Sequence, residues 1–427
     1  MNILFNKISV IGLGYIGLPT AAILASRGIE VIGVDIDQNA VDTINRGEIH
    51  IIEPDLDAIV HAVVTNGKLR ATTIPEKADA FLVAVPTPFI DGHEPDISYI
   101  RTAAESIAPI LEKNNLVVLE STSPVGTTEL LSQWLAELRP DLTFPHEDVV
   151  NANIRIAYCP ERVLPGHILR ELVNNDRVIG GLTQHCAETA VNLYRVFVEG
   201  ECVVTNSRTA EMCKLTENAF RDVNIAFANE LSIISDKLNI NVWELIRLAN
   251  RHPRVNILQP GPGVGGHCIA IDPWFIVNSA PAESKLIRIS REINDSKPQY
   301  IIEQVVQTLE NSNSNKVALF GMTYKPNIDD FRESPSLEIV KTVSEILHGT
   351  DIMVVEPYAK SLSMLSNESS NCRLVNIDEA LDFADILVML VNHDSFLDIP
   401  VERLIGKKII DSRGCWAEKI GSMQLWT

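Results

Sequence analysis

The sequence is short of several features that mark specialised classes of protein. Of its 427 residues, 36 are Lys or Arg against 56 Asp or Glu, so the formal net charge at neutral pH is −20. A surface with that excess of acidic groups repels phosphate backbones and anionic membranes alike. No run approaches the roughly 18 to 20 continuous apolar residues of a membrane-spanning helix. We therefore expect neither a nucleic-acid nor a membrane partner.

The cysteine content excludes a disulfide-stapled or zinc-bound fold. Seven cysteines are scattered through the chain, with no Cys-x-x-Cys pair and no histidine at the spacing of a zinc site. We therefore expect reduced thiols and no metal ion. The N-terminus also lacks a long apolar leader before the first predicted strand at residues 7–11. Together these absences favour a cytoplasmic protein.

The composition is that of an ordinary globular chain, with 46% apolar and 22% charged residues over a length that suggests two or three domains. Short β-branched runs alternate with helical patterns near both ends of the chain, which predicts βαβ units and parallel sheets. Residues 209–238 contain no Pro or Gly and predict one long helix. A loop rich in Gly and Pro follows at 252–273, and then further helix to about residue 309.

We predict an α/β fold with two Rossmann-like doubly wound domains, bridged by the long central helix and a helical dimerisation region. The predicted domains are residues 1–208, 209–310 and 316–427. The predicted strands are residues 7–11, 30–35, 68–72, 80–85, 116–120, 154–158, 177–180, 202–205, 316–320, 351–355, 374–375, 386–391 and 408–411.

A glycine-rich turn follows the first predicted strand. Gly12, Gly14 and Gly17 form the pattern Gly-x-Gly-x-x-Gly, which encloses Tyr15 and Ile16 and leads into a helical pattern. The glycines permit a tight turn, after which the amide groups of the helix N-terminus can bind a pyrophosphate. The second strand ends in Asp35, an acid at the spacing that accepts ribose hydroxyls and disfavours a 2′-phosphate. We predict an NAD site in preference to NADP; glycines that serve only a turn are the alternative.

Hydroxyl side chains follow two later strands of the first predicted sheet. Thr87 follows the fourth predicted strand, and Thr122 and Thr128 follow the fifth. Because ligands of parallel sheets bind outside the carboxyl ends of the strands, we predict that these threonines contact the nicotinamide half of the cofactor. Capping of a helix by Thr127 or Thr128 is an equally good interpretation.

The long predicted helix carries a polar row. Lys214, Asn218 and Arg221 recur at i, i+4 and i+7, which places them on one helical face. A lysine beside an amide can polarise a substrate hydroxyl and stabilise an oxyanion. A solvated polar stripe is the commoner meaning of this spacing, so the residues alone leave both interpretations open.

Four glycines are concentrated ahead of one cysteine, in Gln259-Pro-Gly-Pro-Gly-Val-Gly265-Gly-His-Cys268. Such a loop lets the backbone wrap closely around a ligand and leaves the thiol of Cys268 unobstructed. A buried, inert thiol is the usual alternative, and we expect it for the other six cysteines. The neighbouring His267 is a poor partner for the thiol because adjacent side chains usually point apart.

Taken in this order, the motifs resemble the UDP-glucose/GDP-mannose dehydrogenase family of nucleotide-sugar 6-dehydrogenases. The resemblance covers essentially the whole chain. Further matching segments are Tyr158-Cys-Pro-Glu161, Asn250-Arg-His-Pro-Arg254, Phe320-Gly-Met-Thr-Tyr324-Lys325-Pro and Arg332-Glu-Ser-Pro335. The resemblance implies NAD as the cofactor, a UDP-sugar as the substrate and a homodimer.

The resemblance also implies a four-electron oxidation of a sugar C6 hydroxyl. Loss of a first hydride to NAD gives an aldehyde, Cys268 attacks it to form a thiohemiacetal, and loss of a second hydride gives a thioester that water hydrolyses. Lys214 and Asn218 would hold the oxygens of these intermediates. Asp272 and Glu161 are the carboxylates that would orient water, and which of them acts as the base stays open.

The family's binding positions carry over residue by residue. Arg332 is expected to face the cofactor, together with the glycine turn, Asp35 and the three threonines. In a homodimer His252 and Arg254 are expected to act in the partner's active site. The expected substrate contacts are Arg162, Val163, Lys214, Asn218, Arg221, His252, Arg254, Gly265, Tyr324, Lys325 and Arg413.

One departure from the family pattern bears on the substrate. The UDP-glucose branch usually has Lys-Asp after the cysteine, whereas this chain has Ile271-Asp272. UDP-glucose is therefore the less expected substrate, and the resemblance favours UDP-N-acetyl-D-mannosamine, whose uronic acid enters enterobacterial common antigen or a related surface polysaccharide. UDP-N-acetylglucosamine or another UDP-sugar, a two-electron dehydrogenase of the β-hydroxyacid type, and a nucleotide-sugar-binding regulator without turnover are the alternatives.

Overall fold

The computed structural model describes residues 5–164, 166–266, 268–312, 314–363, 371–416 and 419. The chain divides into two compact units, one made of Met1–Glu217 with Trp274–Pro281 and the other of Asn218–Pro273 with Ala282–Thr427. The predicted fold class is confirmed, because each unit contains an α/β sheet of largely parallel strands and a long helix lies between the two sheets in the sequence.

The first unit is built on an eight-stranded sheet with the order β10-β9-β8-β7-β4-β1-β2-β3, and β5 and β6 form a separate two-stranded ribbon. Neighbouring strands of the large sheet are parallel except at β8 and β9, where Ala157 pairs with Gly181 in antiparallel register. The strands are β1 Lys7–Ile11, β2 Glu30–Val34, β3 Leu69–Thr72, β4 Ala80–Val83, β5 Phe89–Ile90, β6 Glu94–Pro95, β7 Leu116–Leu119, β8 Arg155–Tyr158, β9 Arg177–Gly181 and β10 Cys202–Asn206.

Helices cover both faces of this sheet, so its central strands are buried apolar runs; all four residues of β4 and of β7 are buried. One apolar core lies on each face. The helices are α1 Gly17–Ser26, α2 Gln38–Asn45, α3 Leu56–Thr65, α4 Ser98–Ile107, α5 Thr127–Leu138, α6 Ile168–Asn174 and α7 Gln184–Tyr194.

The middle of the chain is helical. The predicted long helix is present as α8 Ser207–Lys237, followed by α9 Val242–Ala249. The loop predicted to end at residue 273 ends earlier, because α10 Asp272–Ser279 begins inside it, and a break at Pro281 separates α10 from α11 Lys285–Glu310. Proline lacks the amide hydrogen that would continue the helix, which explains the break.

The second unit contains a five-stranded parallel sheet with the order β13-β12-β11-β14-β15. Its elements are β11 Lys316–Phe320, α12 Pro335–Ile346, β12 Asp351–Val355, β13 Cys372–Leu374, α13 Ile377–Phe383, β14 Ile386–Met389, α14 Asp394–Leu397 and β15 Lys408–Asp411. In the part of the chain that the structure describes, no helix has the length and hydropathy needed to cross a membrane.

Candidate active site

The predicted dinucleotide turn joins β1 to α1, and its three glycines differ in what they require. Gly12 has φ +90°, and a Cβ there would lie 2.6 Å from the Ala84 carbonyl oxygen. A Cβ on Gly17 would lie 1.8 Å from the Gly12 carbonyl oxygen. A Cβ on Gly14 would meet no atom within 4 Å. Gly12 and Gly17 are therefore needed to close the turn, whereas Gly14 leaves open space in which a ligand can approach the backbone.

The end of the turn suits an anion. The N-cap residue Ile16 makes no side-chain hydrogen bond to the start of α1, and the first turn of α1 contains no acidic residue that would compete with a phosphate. Asp35 lies beside the turn, where its Oδ2 accepts a hydrogen bond from the Leu13 amide at 2.8 Å. Tyr15 is 36% exposed. These residues fit the pyrophosphate and ribose of NAD.

The three predicted threonines lie in different surroundings. The Thr87 hydroxyl donates to the Thr122 carbonyl oxygen at 2.6 Å and so links the ends of two neighbouring strands. Thr128 is fully buried, and its hydroxyl donates to Glu211 Oε1 at 2.6 Å. The side chain of Thr128 is thus directed to a protein carboxylate.

Glu211 on α8 caps helix α5, a role that our sequence analysis missed. Its two carboxylate oxygens accept hydrogen bonds from the amides of Gly126 at 2.6 Å and Thr128 at 2.8 Å. The N-cap position itself is Gly126, which has no side chain, so neither threonine caps the helix as the alternative interpretation suggested. Burial raises the pKa of Glu211 although these hydrogen bonds favour its ionised form.

Glu161, one of the two predicted catalytic carboxylates, is held by a buried arginine. Arg177, at the start of β9, places its guanidinium nitrogen NH1 2.5 Å from Glu161 Oε2. Glu161 Oε1 accepts the Arg162 amide at 2.7 Å. The Arg177 guanidinium also lies over the rings of Tyr194 and Phe197, with its central carbon 5.5 and 5.8 Å from the ring centroids. Arg177 was not predicted from the sequence, and it fixes the orientation of Glu161.

A second buried carboxylate lies close to this pair. Glu120 follows β7, and its Oε1 accepts a hydrogen bond from the Tyr194 hydroxyl at 2.5 Å. Burial raises the pKa of Glu120 to about 7, and the negative charge of Glu161 contributes to the rise. The structure therefore places one further acid, one arginine and one tyrosine behind Glu161.

Arg162 and Val163 follow Glu161 in the chain. Arg162 forms an ion pair with Glu217 on α8, with NH2 2.9 Å from Oε1, and this pair is partly exposed. Val163 is half-buried and packs against the apolar core of the first unit. In this structure Arg162 is thus already paired with a carboxylate of the chain.

The predicted nucleophile lies in the second unit, at the start of α10. Cys268 is exposed, and its carbonyl oxygen accepts the amide of Asp272 at 2.9 Å. This turn brings the Asp272 carboxylate to the helix start, where its Oδ2 accepts a hydrogen bond from Asn218 Nδ2 at 2.5 Å. Both Asn218 and Asp272 are buried. Three of the predicted catalytic residues therefore come together in one unit.

The glycine-rich loop before Cys268 packs on segments that follow two strands of the second sheet, β11 and β15. A Cβ on Gly265 would lie 2.9 Å from the Tyr324 Cβ and 2.5 Å from the Glu333 carbonyl oxygen. A Cβ on Gly261 would lie 2.8 Å from a guanidinium nitrogen of Arg413. Only glycine allows such close approach. Tyr324 and Arg413 therefore lie next to the loop that leads to Cys268. Partial burial lowers the pKa of Arg413 to about 10, and the group remains cationic at neutral pH.

The other predicted substrate residues, and Arg332, which was predicted to face the cofactor, are more exposed. Lys214 is half-buried one helical turn before Asn218 on α8, and Lys325 is half-buried next to Tyr324. Arg332 pairs with Asp330 through two hydrogen bonds. The remaining three, Arg221, His252 and Arg254, have exposed side chains.

Exposure separates Cys268 from the other cysteines. Cys159 and Cys186 are buried and the remaining four are half-buried, whereas Cys268 is exposed. Burial raises the pKa of Cys159 to about 12 and of Cys372 to about 11, which leaves both as inert thiols. His267 lies outside the described residues. Among the described residues, no group of three His, Cys, Asp or Glu side chains is arranged to hold a metal ion.

Three family models match the chain in succession. They are the NAD binding domain of the UDP-glucose/GDP-mannose dehydrogenase family at residues 6–198, the central domain at 208–296 and the UDP binding domain at 318–418. The exposed thiol and the dinucleotide turn thus fall in segments that match the same family.

Individual relatives match over nearly their full length. An NDP-N-acetyl-D-galactosaminuronic acid dehydrogenase of Ralstonia nicotianae is 61% identical, over 98% of each chain. A UDP-N-acetyl-D-mannosamine dehydrogenase of Campylobacter jejuni is 60% identical, over 94% of this chain and 98% of the relative. The solved structure of a UDP-D-ManNAc dehydrogenase from Pyrococcus horikoshii is 38% identical, with a TM-score of 0.84 over 96% of each chain.

Proposed function

The chain belongs to the UDP-glucose/GDP-mannose dehydrogenase family, and on that premise we propose that it oxidises the C6 hydroxyl of UDP-N-acetyl-D-mannosamine to a carboxylate. As a member of this family it is an NAD-dependent UDP-sugar dehydrogenase. The finer assignment of the sugar and the use of a covalent cysteine intermediate are the proposal.

The observation that carries the cysteine mechanism is the geometry at the start of α10. An exposed thiol lies four residues before a buried carboxylate, and that carboxylate is hydrogen-bonded to the amide of Asn218 on α8. An alcohol dehydrogenase that stops at the aldehyde needs no such thiol. A thiolate that attacks the aldehyde makes the second oxidation possible, because the resulting thiohemiacetal can lose a hydride.

Each residue then has a defined task. Two NAD molecules, bound one after the other, would supply the hydride acceptors for the two oxidations. Cys268 forms a carbon–sulfur bond to C6, first in the thiohemiacetal and then in the thioester. Asn218 and Lys214 donate hydrogen bonds to the oxygen on C6 while it carries negative charge. Water finally cleaves the thioester, which releases the uronic acid and restores the thiol.

Of the two candidate carboxylates, we favour Asp272 as the group that orients the hydrolytic water. Asp272 is four residues from Cys268 and its amide donates to the Cys268 carbonyl, so its position is tied to that of the thiol. In Glu161, by contrast, one carboxylate oxygen pairs with Arg177 and the other accepts a hydrogen bond from the Arg162 amide. Asp272→Asn is expected to lower the rate of acid formation far more than the rate of the first oxidation, as measured by single-turnover kinetics.

The names of the relatives point to two N-acetylhexosamines, which differ in configuration at C2 and C4. Relatives of nearly equal identity are named for UDP-N-acetyl-D-mannosamine and for NDP-N-acetyl-D-galactosaminuronic acid. Both names contain an N-acetylated hexosamine, and Ile271 replaces the lysine of the UDP-glucose branch. These observations favour an N-acetylhexosamine over glucose.

The direct test is to offer UDP-N-acetylmannosamine, UDP-N-acetylglucosamine, UDP-N-acetylgalactosamine and UDP-glucose separately and to follow NADH formation. We expect the highest kcat/KM with UDP-N-acetylmannosamine. The three N-acetylated sugars differ in configuration at one or two ring carbons, and each hydrogen bond gained or lost is worth about 0.5–1.5 kcal/mol, which corresponds to a preference of about 2- to 12-fold per hydrogen bond. A higher kcat/KM with UDP-N-acetylgalactosamine would contradict the assignment and support the other name.

We also propose that the active enzyme is a homodimer formed through α8. Phe220, Phe227 and Ile234 recur every seven residues on this helix and are 68, 50 and 46% exposed, so they form one apolar stripe. Contiguous exposed apolar stripes typically mark protein interfaces. His252 and Arg254 are exposed as well, as expected of residues that act in a partner's active site.

Light scattering on Phe227→Glu tests the dimer. The variant is expected to be monomeric and inactive, whereas Val150→Glu, which alters an apolar side chain that is 87% exposed in the first unit, is expected to stay dimeric and active. A dimeric Phe227→Glu variant with normal activity would exclude this interface.

The pathway follows from the proposed product. A uronic acid of an N-acetylhexosamine is a building block of surface polysaccharides, and enterobacterial common antigen is the one indicated by the sequence resemblance. A deletion strain is then expected to lose that polysaccharide and to regain it with the wild-type gene but not with Cys268→Ala. The cytoplasmic location stays a prediction.

A further inference from the structure

The second unit contains a polar cavity of about 570 Å³ that none of the predicted site residues lines. Its walls come from α8, α9, α11 and the edge strand β15. A volume of this size lies within the range of small-molecule binding sites. The residues that matter for its chemistry are Ser232, Asp236, Trp243, Lys297, Gln304 and Lys408.

Lys297 is the unusual member of this lining because it is a buried cation. Its side chain is only 3% exposed. The ammonium donates one hydrogen bond, to Ser232 Oγ at 2.6 Å, and lies 4.6 Å from the centroid of the Tyr300 ring. Among the described residues, Lys297 makes no ion pair. Since an ammonium has three donors and a buried charge needs compensation, the site lacks an anion.

Two carboxylates line the cavity, and among the described residues neither forms an ion pair with Lys297. Asp411 accepts hydrogen bonds from the backbone amides of Arg413, Gly414 and Trp416. Asp236 Oδ2 accepts hydrogen bonds from the Tyr300 hydroxyl at 2.7 Å and from Gln304 Nε2 at 2.8 Å. The carboxylate is therefore engaged by neutral donors and lies farther from Lys297 than an ion-pair contact.

A second lysine adds positive charge at the same cavity. Lys408, the first residue of β15, donates to the Asn311 carbonyl oxygen at 3.0 Å and keeps an exposed side chain. Trp243 contributes an aromatic wall. Two ammonium groups and one aromatic ring in the lining of the same cavity suit an organic molecule that carries an oxyanion, either a phosphate or a carboxylate.

We propose that this cavity is a binding site for a small oxyanion-bearing metabolite, whose anionic group is held by Lys297 and Lys408. The site is separate from the UDP-sugar site, although the two are neighbours in the chain. Ser412 lines the cavity immediately before Arg413, and Pro260 lines it immediately before Gly261. A ligand bound here would contact both segments that carry predicted substrate residues.

Calorimetry on the full chain tests the proposal without relying on activity. Inorganic phosphate and acetate are titrated separately into enzyme that is saturated with NADH and UDP, so that the cofactor and substrate sites are occupied. We expect saturable binding of at least one of these anions, about one per chain. Lys297→Met is expected to weaken it at least about tenfold, because a charge-assisted hydrogen bond is lost.

Two further variants complete the test. Lys285→Met removes an exposed lysine at the start of the same helix and is expected to leave binding unchanged. Lys408→Ala is expected to weaken binding severalfold, and it decides the matter if Lys297→Met does not fold. The proposal is overturned by an absence of saturable binding, by unchanged affinity in both cavity variants, or by binding that appears only when UDP is left out, which would make the cavity part of the substrate site.

Discussion

Replacement of Arg177 by methionine tests how the first unit holds Glu161. Arg177 and Glu161 are 1% and 7% exposed, and they form an ion pair at 2.5 Å. Methionine keeps much of the side-chain volume but removes the guanidinium. The Glu161 carboxylate then stays buried with only the Arg162 amide as a described hydrogen-bond donor.

The magnitude follows from the burial of both partners. Removal of one member of a buried ion pair costs about 3–5 kcal/mol, because the other charge is left unpaired. The substitution also removes the hydrogen bond from Arg177 NH2 to the Leu172 carbonyl oxygen at 3.0 Å. For domains of about 150 to 250 residues, each kcal/mol shifts Tm by about 2–4 °C, so we expect the first unit to unfold about 10 °C lower.

Calorimetric scans of four proteins provide the assay: wild type, Arg177→Met, Glu161→Gln and the double variant. The double variant is expected to be more stable than the sum of the single effects indicates, by at least about 1 kcal/mol, because no unpaired charge remains. Arg170→Met removes an exposed arginine of the same unit and is expected to unfold like wild type. An Arg177→Met protein within about 1 °C of wild type would refute the claim that this pair holds the carboxylate.

Three other predictions follow from the glycine turn, Asp35 and Lys297. Gly17→Ala is expected to lower Tm, whereas Gly14→Ala is expected to keep the wild-type Tm and to bind NAD more weakly in a fluorescence titration. An equal loss of Tm in both variants would contradict the claim that Gly17 closes the turn and Gly14 leaves space for the ligand. Asp35→Asn is expected to raise KM for NAD about tenfold relative to an Asp37→Asn control, and to reduce the preference for NAD over NADP. An unchanged ratio of the KM for NAD to the KM for NADP would exclude Asp35 as the acceptor of the ribose hydroxyls. Burial lowers the pKa of Lys297 to about 8, so the unfolded chain binds more protons than the folded one between about pH 8 and 10.5, and stability of the ligand-free protein is expected to rise over that window. The free energy of unfolding is expected to rise by about 3 kcal/mol in total. Urea unfolding of Lys297→Met is expected to show a higher free energy of unfolding than wild type at pH 7 and no rise between about pH 8 and 10.5. The same pH dependence in both proteins would contradict the lowered pKa of Lys297.

The fold was largely predictable because its strands are local features. Buried β-branched runs such as β4 and β7 stand out in the sequence, and the long helix α8 contains no Pro or Gly. The antiparallel pairing of β8 with β9 could not be predicted, because strand direction depends on where distant segments pack. The break between α10 and α11 did leave a local signal at Pro281.

The site residues that could be predicted are those whose role requires one particular amino acid, such as glycine for close backbone approach or cysteine for a thiol. Glycines at positions 12, 17 and 265 are needed for close approach, and the cysteine follows such a loop. The residues that position others gave no such signal. Glu211 caps a helix that begins 84 residues earlier in the chain, and Arg177 pairs with Glu161 from the adjacent strand. Charged partners of this kind follow from tertiary packing rather than from local spacing.

The number of NADH molecules formed per UDP-sugar tests the central claim most directly. With limiting UDP-N-acetylmannosamine and excess NAD, the cysteine mechanism predicts two NADH and one uronic acid per sugar. Cys268→Ala is expected to form no acid and no second NADH, whereas the control Cys202→Ser is expected to behave like wild type. One NADH per sugar from the wild-type enzyme, together with an unchanged rate in Cys268→Ala, would contradict the account.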